Sequence, residues 1–133
     1  MAGDRTWYLD TSVALRVMLG HDAGATAWYA STEPGTVVSS RLLHLECVRA
    51  LRRDGLATRV ADEFAAELVL LGVDSALVAE AASIRPHVTT LDALHLASAM
   101  RLGAAATTIV SHDRTMLTVG EALGFATHDP VRG

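Results

Sequence analysis

Cysteine is nearly absent. Cys47 is the only one in 133 residues, so no internal disulfide can form and a secreted disulfide scaffold is excluded. Lysine is missing altogether, and all eleven basic residues are arginine. That bias carries no functional weight alone, although arginine is the better phosphate clamp. Aromatics make up only 5% of the chain, so a stacking platform for single-stranded bases is not evident. No stretch approaches the roughly 20 apolar residues that a membrane span needs. The segment from Met1 to Asp10 carries Asp4, Arg5 and Asp10 and no apolar run, which does not describe a signal peptide. These absences lead us to expect a soluble, cytoplasmic protein. The net charge of −4 argues against a broadly basic nucleic-acid coat. What is abundant is apolar: half the residues are hydrophobic, and the mean hydropathy is +0.29. With only 20% charged residues, disorder is excluded. The length suits a single domain over residues 1–133 that needs no metal or disulfide staple. So apolar a composition is high for a small monomer, and some apolar surface is expected to face a partner.

Short β-prone runs alternate with helical periodicity. Thr6–Leu9, Thr36–Ser39 and Thr107–Val110 read as strands, with a brief strand from Val73 and an edge strand over Phe125–Thr127. Helices are expected over Ser12–Leu19, stopped by Gly20, and over Ala23–Ser31. Ser40 caps a third running to Arg53. Thr58 opens a fourth, in which Val60, Phe64, Leu68 and Leu71 repeat at helical spacing until Gly72. Ser75–Ser83 is a short helix, Thr90 caps Leu91–Leu102, and Arg114–Leu123 closes at Gly124. Strands separated by helices imply an α/β fold with a parallel sheet of about five strands, covered on both faces. Such sheets bind ligands outside the carboxyl ends of their strands, where strand order reverses.

Acids stand at those ends. Asp10 follows the first strand, Asp113 follows Val110 by three residues, and Asp92 lies in the first turn of its helix. Glu46 can join them if the Ser40–Arg53 helix packs beside the first strand. Carboxylates a few ångströms apart repel unless a cation resolves the conflict. A hard divalent cation such as Mg²⁺ or Mn²⁺ takes oxygen ligands and can ionise a water in line with a phosphorus. Converging acids therefore suggest phosphodiester hydrolysis. Each acid also has a plainer role. Asp10 and Asp113 suit helix caps, Asp92 complements a helix dipole, and Glu46 can pair with Arg49 one turn on. Against that pairing, Leu42, Leu43, Leu45, Val48 and Leu51 make the Glu46 helix apolar around much of its circumference, and a free-standing charge there is costly.

Four segments then carry a family resemblance: Tyr8-Leu9-Asp10-Thr11-Ser12, Leu45-Glu46-Cys47-Val48-Arg49-Ala50-Leu51, Leu91-Asp92-Ala93-Leu94-His95-Leu96-Ala97-Ser98-Ala99, and Val110-Ser111-His112-Asp113. In this order they resemble the PIN-domain ribonucleases, and in particular the VapC-type toxins of type II toxin–antitoxin pairs. The stretch from Asp54 to Val88 carries no motif. The resemblance implies a three-layer α/β/α domain and a Mg²⁺- or Mn²⁺-dependent endoribonuclease. It implies an acidic quartet of Asp10, Glu46, Asp92 and Asp113, with Ser12 as a hydroxyl that orients the acids. It also implies a homodimer and a small antitoxin that lays a helix in a groove and pushes a basic side chain toward the acids. The helix starting at Ser12 and the Val60–Leu71 helix are the candidates for that groove. One departure stands out: Arg114, Thr115, Met116 and Leu117 follow Asp113, where some relatives carry a further acid or amide, so a second metal would be weakly held.

RNA must be held despite the acidic balance, and Arg41, Arg49, Arg52, Arg53 and Arg114 are the candidate phosphate contacts, set against solvated helix faces. His95 and His112 lie near acids, but a zinc site lacks its fixed ligand spacing. Three other functions compete: a silent module that only binds RNA or protein, a housekeeping RNA-processing nuclease, and an aspartyl-nucleophile phosphatase. The last wants a second aspartate where Ser12 stands. No glycine pattern supports a nucleotide cofactor.

Overall fold

The computed structural model describes residues 5–132, so Asp4 and the rest of Met1–Asp4, used above to argue against a signal peptide, lie outside the described residues. Five strands, β1 (Thr6–Leu9), β2 (Val37–Ser40), β3 (Val69–Leu71), β4 (Thr107–Val110) and β5 (Ala126–His128), form one sheet in the order β3-β2-β1-β4-β5. Every pairing is parallel. The helices are α1 (Thr11–Leu19), α2 (Ala23–Ser31), α3 (Arg41–Arg53), α4 (Arg59–Ala65), α5 (Ser75–Ala82), α6 (Thr90–Met100) and α7 (Arg114–Ala122). Strand order reverses between β1 and β4, which places the crevice of a doubly wound sheet at their carboxyl ends.

Side chains alternate across the strands and divide the core in two. Leu9 and Val110 join Val13, Trp28, Leu43, Cys47, Leu51 and Phe64 beneath α1 to α4. Tyr8 and Ile109 point the other way, to Leu96, Met116 and Val119 of α6 and α7. Each fully buried aliphatic chain contributes about 1.5–3 kcal/mol. On the second face, Gly120 of α7 packs closely on the sheet, since a Cβ there would lie 2.9 Å from Ile109 Cδ1 and oblige that side-chain end to shift. The expected three layers are present, and among the described residues no helix is long and apolar enough to cross a membrane.

The helix expected over Thr58–Leu71 is corrected by the structure. Only Arg59–Ala65 is helical; the chain turns through Glu67 and Leu68, and Val69–Leu71 becomes β3. The reason is tertiary: β2 is buried along its whole length, and β3 satisfies its outer edge through the Val38–Val69 to Ser40–Leu71 register. The strand expected from Val73 is likewise absent, its place in the sheet being taken by β3 two residues earlier. The cap of α6 is Thr89, not Thr90: the Thr89 hydroxyl accepts the Asp92 N–H at 3.2 Å. Finally, α3 is amphipathic rather than apolar all round, with Leu43, Cys47 and Leu51 buried and Leu45 56% exposed.

Candidate active site

Asp10 stands at the end of the central strand, in the N-cap position of α1, yet its side chain makes no cap hydrogen bond. The backbone carbonyl alone begins the helix, accepting from Val13 and Ala14. The carboxylate is thus free for other work. Its Oδ2 accepts from Ser12 Oγ and Ser111 Oγ, both at 2.8 Å, and the residue is buried. Ser12 is thus in direct hydrogen-bond contact with the Asp10 carboxylate. Both serines also serve the β4–α7 loop: Ser12 Oγ accepts the His112 N–H and Ser111 Oγ the Asp113 N–H, each at 2.9 Å. The ends of β1 and β4 are pinned together by this network. Ser111 was not singled out from the sequence; its signal is a small hydroxyl ending a buried β-branched strand.

Asp113 is the cap of α7, with Oδ1 accepting the N–H groups of Thr115 at 2.8 Å and Met116 at 3.2 Å. Glu46 does not pair with Arg49. Its Oε1 accepts from Thr11 Oγ1 at 3.0 Å and lies 2.7 Å from His95 Nε2. Asp10, Glu46 and Asp113 share one pattern. Neutral or imidazole donors hold one oxygen of each, and among the described residues no hydrogen bond reaches Asp10 Oδ1, Glu46 Oε2 or Asp113 Oδ2.

Asp92, half-buried at the start of α6, completes the set. Burial raises its carboxyl above the ordinary carboxylate value, and the negative charge of Asp10 and then of Asp113 pushes it further, while the Thr89 hydroxyl partly offsets the rise. Asp92 thus lies within electrostatic reach of both Asp10 and Asp113. Among the described residues, no three His, Cys, Asp or Glu side chains are close enough to hold one ion as they stand. The donor chemistry nonetheless fits a hard cation: the uncommitted atoms are carboxylate oxygens in a site crowded with like charge.

The histidines turn elsewhere. His112 Nδ1 lies 3.0 Å from Asp129 Oδ2, on the C-terminal segment. His95 is buried, held between Glu46 and the Tyr8 hydroxyl, which lies 2.8 Å from Nδ1. Of the arginines, Arg49 and Arg53 line a groove of about 590 Å³ with Glu46, Leu15, Leu45 and Leu91. They fall three and seven residues after Glu46 and so share its helix face. Arg41 and Arg52 are exposed on other faces of α3, and Arg114 is exposed beside Asp113.

Acids placed at the switch point of a β3-β2-β1-β4-β5 parallel sheet, the first of them directly after the first strand, point to the class of domain. The chain belongs to the PIN domain family, which it matches over residues 7–122. It is 35% identical over 126 residues to Ribonuclease VapC46 of Mycobacterium tuberculosis, covering 92% of this chain and 96% of that one. The fold is similar to that of M. tuberculosis VapC20, a Sarcin-Ricin loop cleaving toxin, with a TM-score of 0.69 at 22% identity over 91% of this chain and 97% of the other. It is equally similar to a chain of FitAB bound to a DNA fragment, with a TM-score of 0.69 at 19% identity over 94% and 95% of the two chains.

Proposed function

We propose that this protein is a divalent-metal-dependent endoribonuclease acting as the toxin of a toxin–antitoxin pair. The observation that carries the reading is the shared pattern of the acids: at one sheet edge, three carboxylates each keep one oxygen in reserve, beside an Asp92 crowded by its neighbours' charge. Kinship with a named ribonuclease along almost its whole length supports the choice of RNA. Asp10, Asp92 and Asp113, with Glu46, would hold one Mg²⁺ or Mn²⁺. Bound there, the ion would supply Lewis-acid activation of water and charge neutralisation at phosphorus. The chain's own part is positioning. Ser12 and Ser111 hold the Asp10 carboxylate against rotation, Asp113 is fixed by the α7 amides, and Arg49 and Arg53 engage phosphates along the groove without reading sequence. RNA cleavage is expected with Mg²⁺ or Mn²⁺ and to fall to background in EDTA or in Asp10→Asn and Asp92→Asn. Undiminished cleavage by either variant ends the proposal.

The partner side of the reading rests on exposed apolar surface. Leu45 is 56% and Leu91 45% exposed on either side of the arginine-lined groove, next to Glu46. This groove, lined by α1, α3 and the start of α6, is the landing site of an antitoxin helix. A homodimer in the cytoplasm completes the proposal. Gel filtration of the purified chain tests the dimer, and improved solubility on co-expression with the antitoxin tests the groove; a well-behaved monomer counts against both.

A further inference from the structure

Glu46 is the odd member of the acids. It comes from the middle of a helix rather than the end of a strand, and its hydrogen-bond partners come from two other elements. The Tyr8 hydroxyl is 2.8 Å from His95 Nδ1, and His95 Nε2 is 2.7 Å from Glu46 Oε1. Tyr8 and His95 are each 1% exposed, so neither ring can exchange its partner for water. Thr11 Oγ1 donates to the same Oε1 at 3.0 Å. Tyr8 is two residues before Asp10 on β1, and His95 is one turn after Asp92 on α6. The central strand and the Asp92 helix are therefore both wired to Glu46.

We propose that Tyr8 and His95 are positioning residues for Glu46. The phenol holds the ring through Nδ1, and the Nε2–H, facing a carboxylate that can only accept, pins Oε1 so that Oε2 stays free for the site. An unpinned carboxylate on α3, still partly open to water, would sample rotamers, and outer hydrogen-bond partners of this kind are worth about 10–100-fold in metal affinity.

The inference rests on the metal reading of the site, and the experiment separates the two. Long-range ¹H–¹⁵N spectra of the metal-free wild type are expected to show a proton on His95 Nε2. An Nε2 without a proton overturns the proposal whatever the site binds. Calorimetry with Mn²⁺ alone then compares variants. Tyr8→Phe and His95→Leu are expected to weaken binding about tenfold or more. His95→Gln, whose amide N–H can still reach Glu46, retains affinity within a few-fold, and Tyr8→Phe adds nothing in a Glu46→Gln background. Equal loss in His95→Gln and His95→Leu, or full affinity in Tyr8→Phe, overturns the positioning role. A wild type that binds no Mn²⁺ while showing the Nε2 proton refutes the metal reading instead.

Discussion

Ser111→Ala removes one oxygen and tests the central claim about Asp10. Ser111 Oγ is wholly buried, donates to Asp10 Oδ2 at 2.8 Å and accepts the Asp113 N–H at 2.9 Å. A hydrogen bond to a charged group is worth about 1.5–3 kcal/mol, and orphaning a buried N–H costs at least about 1 kcal/mol more. Ser12 still donates to the same Oδ2, also at 2.8 Å, and takes up part of the loss. The net is on the order of 2–3 kcal/mol, which for a domain of this size lowers the melting temperature by roughly 6–15 °C. Metal-dependent cleavage falls about 10–100-fold, because Asp10 is then free to rotate. Thermal unfolding by circular dichroism and cleavage of an RNA substrate read the two effects. Ser12→Ala, at a half-buried site that water can enter, costs less. The double variant costs more than the sum, since the serines share one acceptor. A Ser111→Ala protein within about 0.5 kcal/mol of wild type and fully active refutes the claim that these hydroxyls hold the carboxylate.

Asp92→Asn abolishes cleavage while stabilising the metal-free protein by about 1 kcal/mol, as removal of crowded charge does at functional sites. The sign follows from its raised carboxyl. Between the unfolded value and the folded one, the native state holds more protons than the unfolded chain, so metal-free stability falls as pH rises through that window. Urea midpoints against pH should show the decline in wild type and not in the variant. Arg49→Ala and Arg53→Ala weaken RNA binding, and each lost phosphate contact makes the plot of log affinity against log salt shallower by about 0.7. Arg52→Ala, on another face of α3, changes neither. Cys47 is buried, and its thiol is pushed up to about 12 by burial first and the charge of Glu46 second. A thiol reagent at neutral pH therefore reacts with it only as the protein unfolds, and rapid labelling of the native state contradicts the packing of α3.

What could be read from the sequence divides by range. Caps and stops are local, so Ser40 before α3 and Gly20 past α1 set helix ends to within a residue. Asp10 and Asp113 were legible because strand ends are legible: Leu9 and Val110 finish β-prone runs, and the polar residues that follow lie at the carboxyl ends of the strands. β3 was not, because Val60, Phe64, Leu68 and Leu71 satisfy helical spacing, and only the unpaired edge of β2, some thirty residues away, decides otherwise. The partners of Glu46 were hidden for the same reason. Period-two alternation does say that Tyr8 and Leu9 face opposite layers, but not that Tyr8 meets α6 rather than α7. Ion-pair spacing suggested Arg49 for Glu46, yet an exposed i, i+3 pair is worth only a few tenths of a kcal/mol, less than a half-buried carboxylate gains from an imidazole and a hydroxyl in fixed positions. The stronger, non-local partner wins, and in winning it leaves Arg49 free on the groove wall beside Arg53, where a polyanion can meet it.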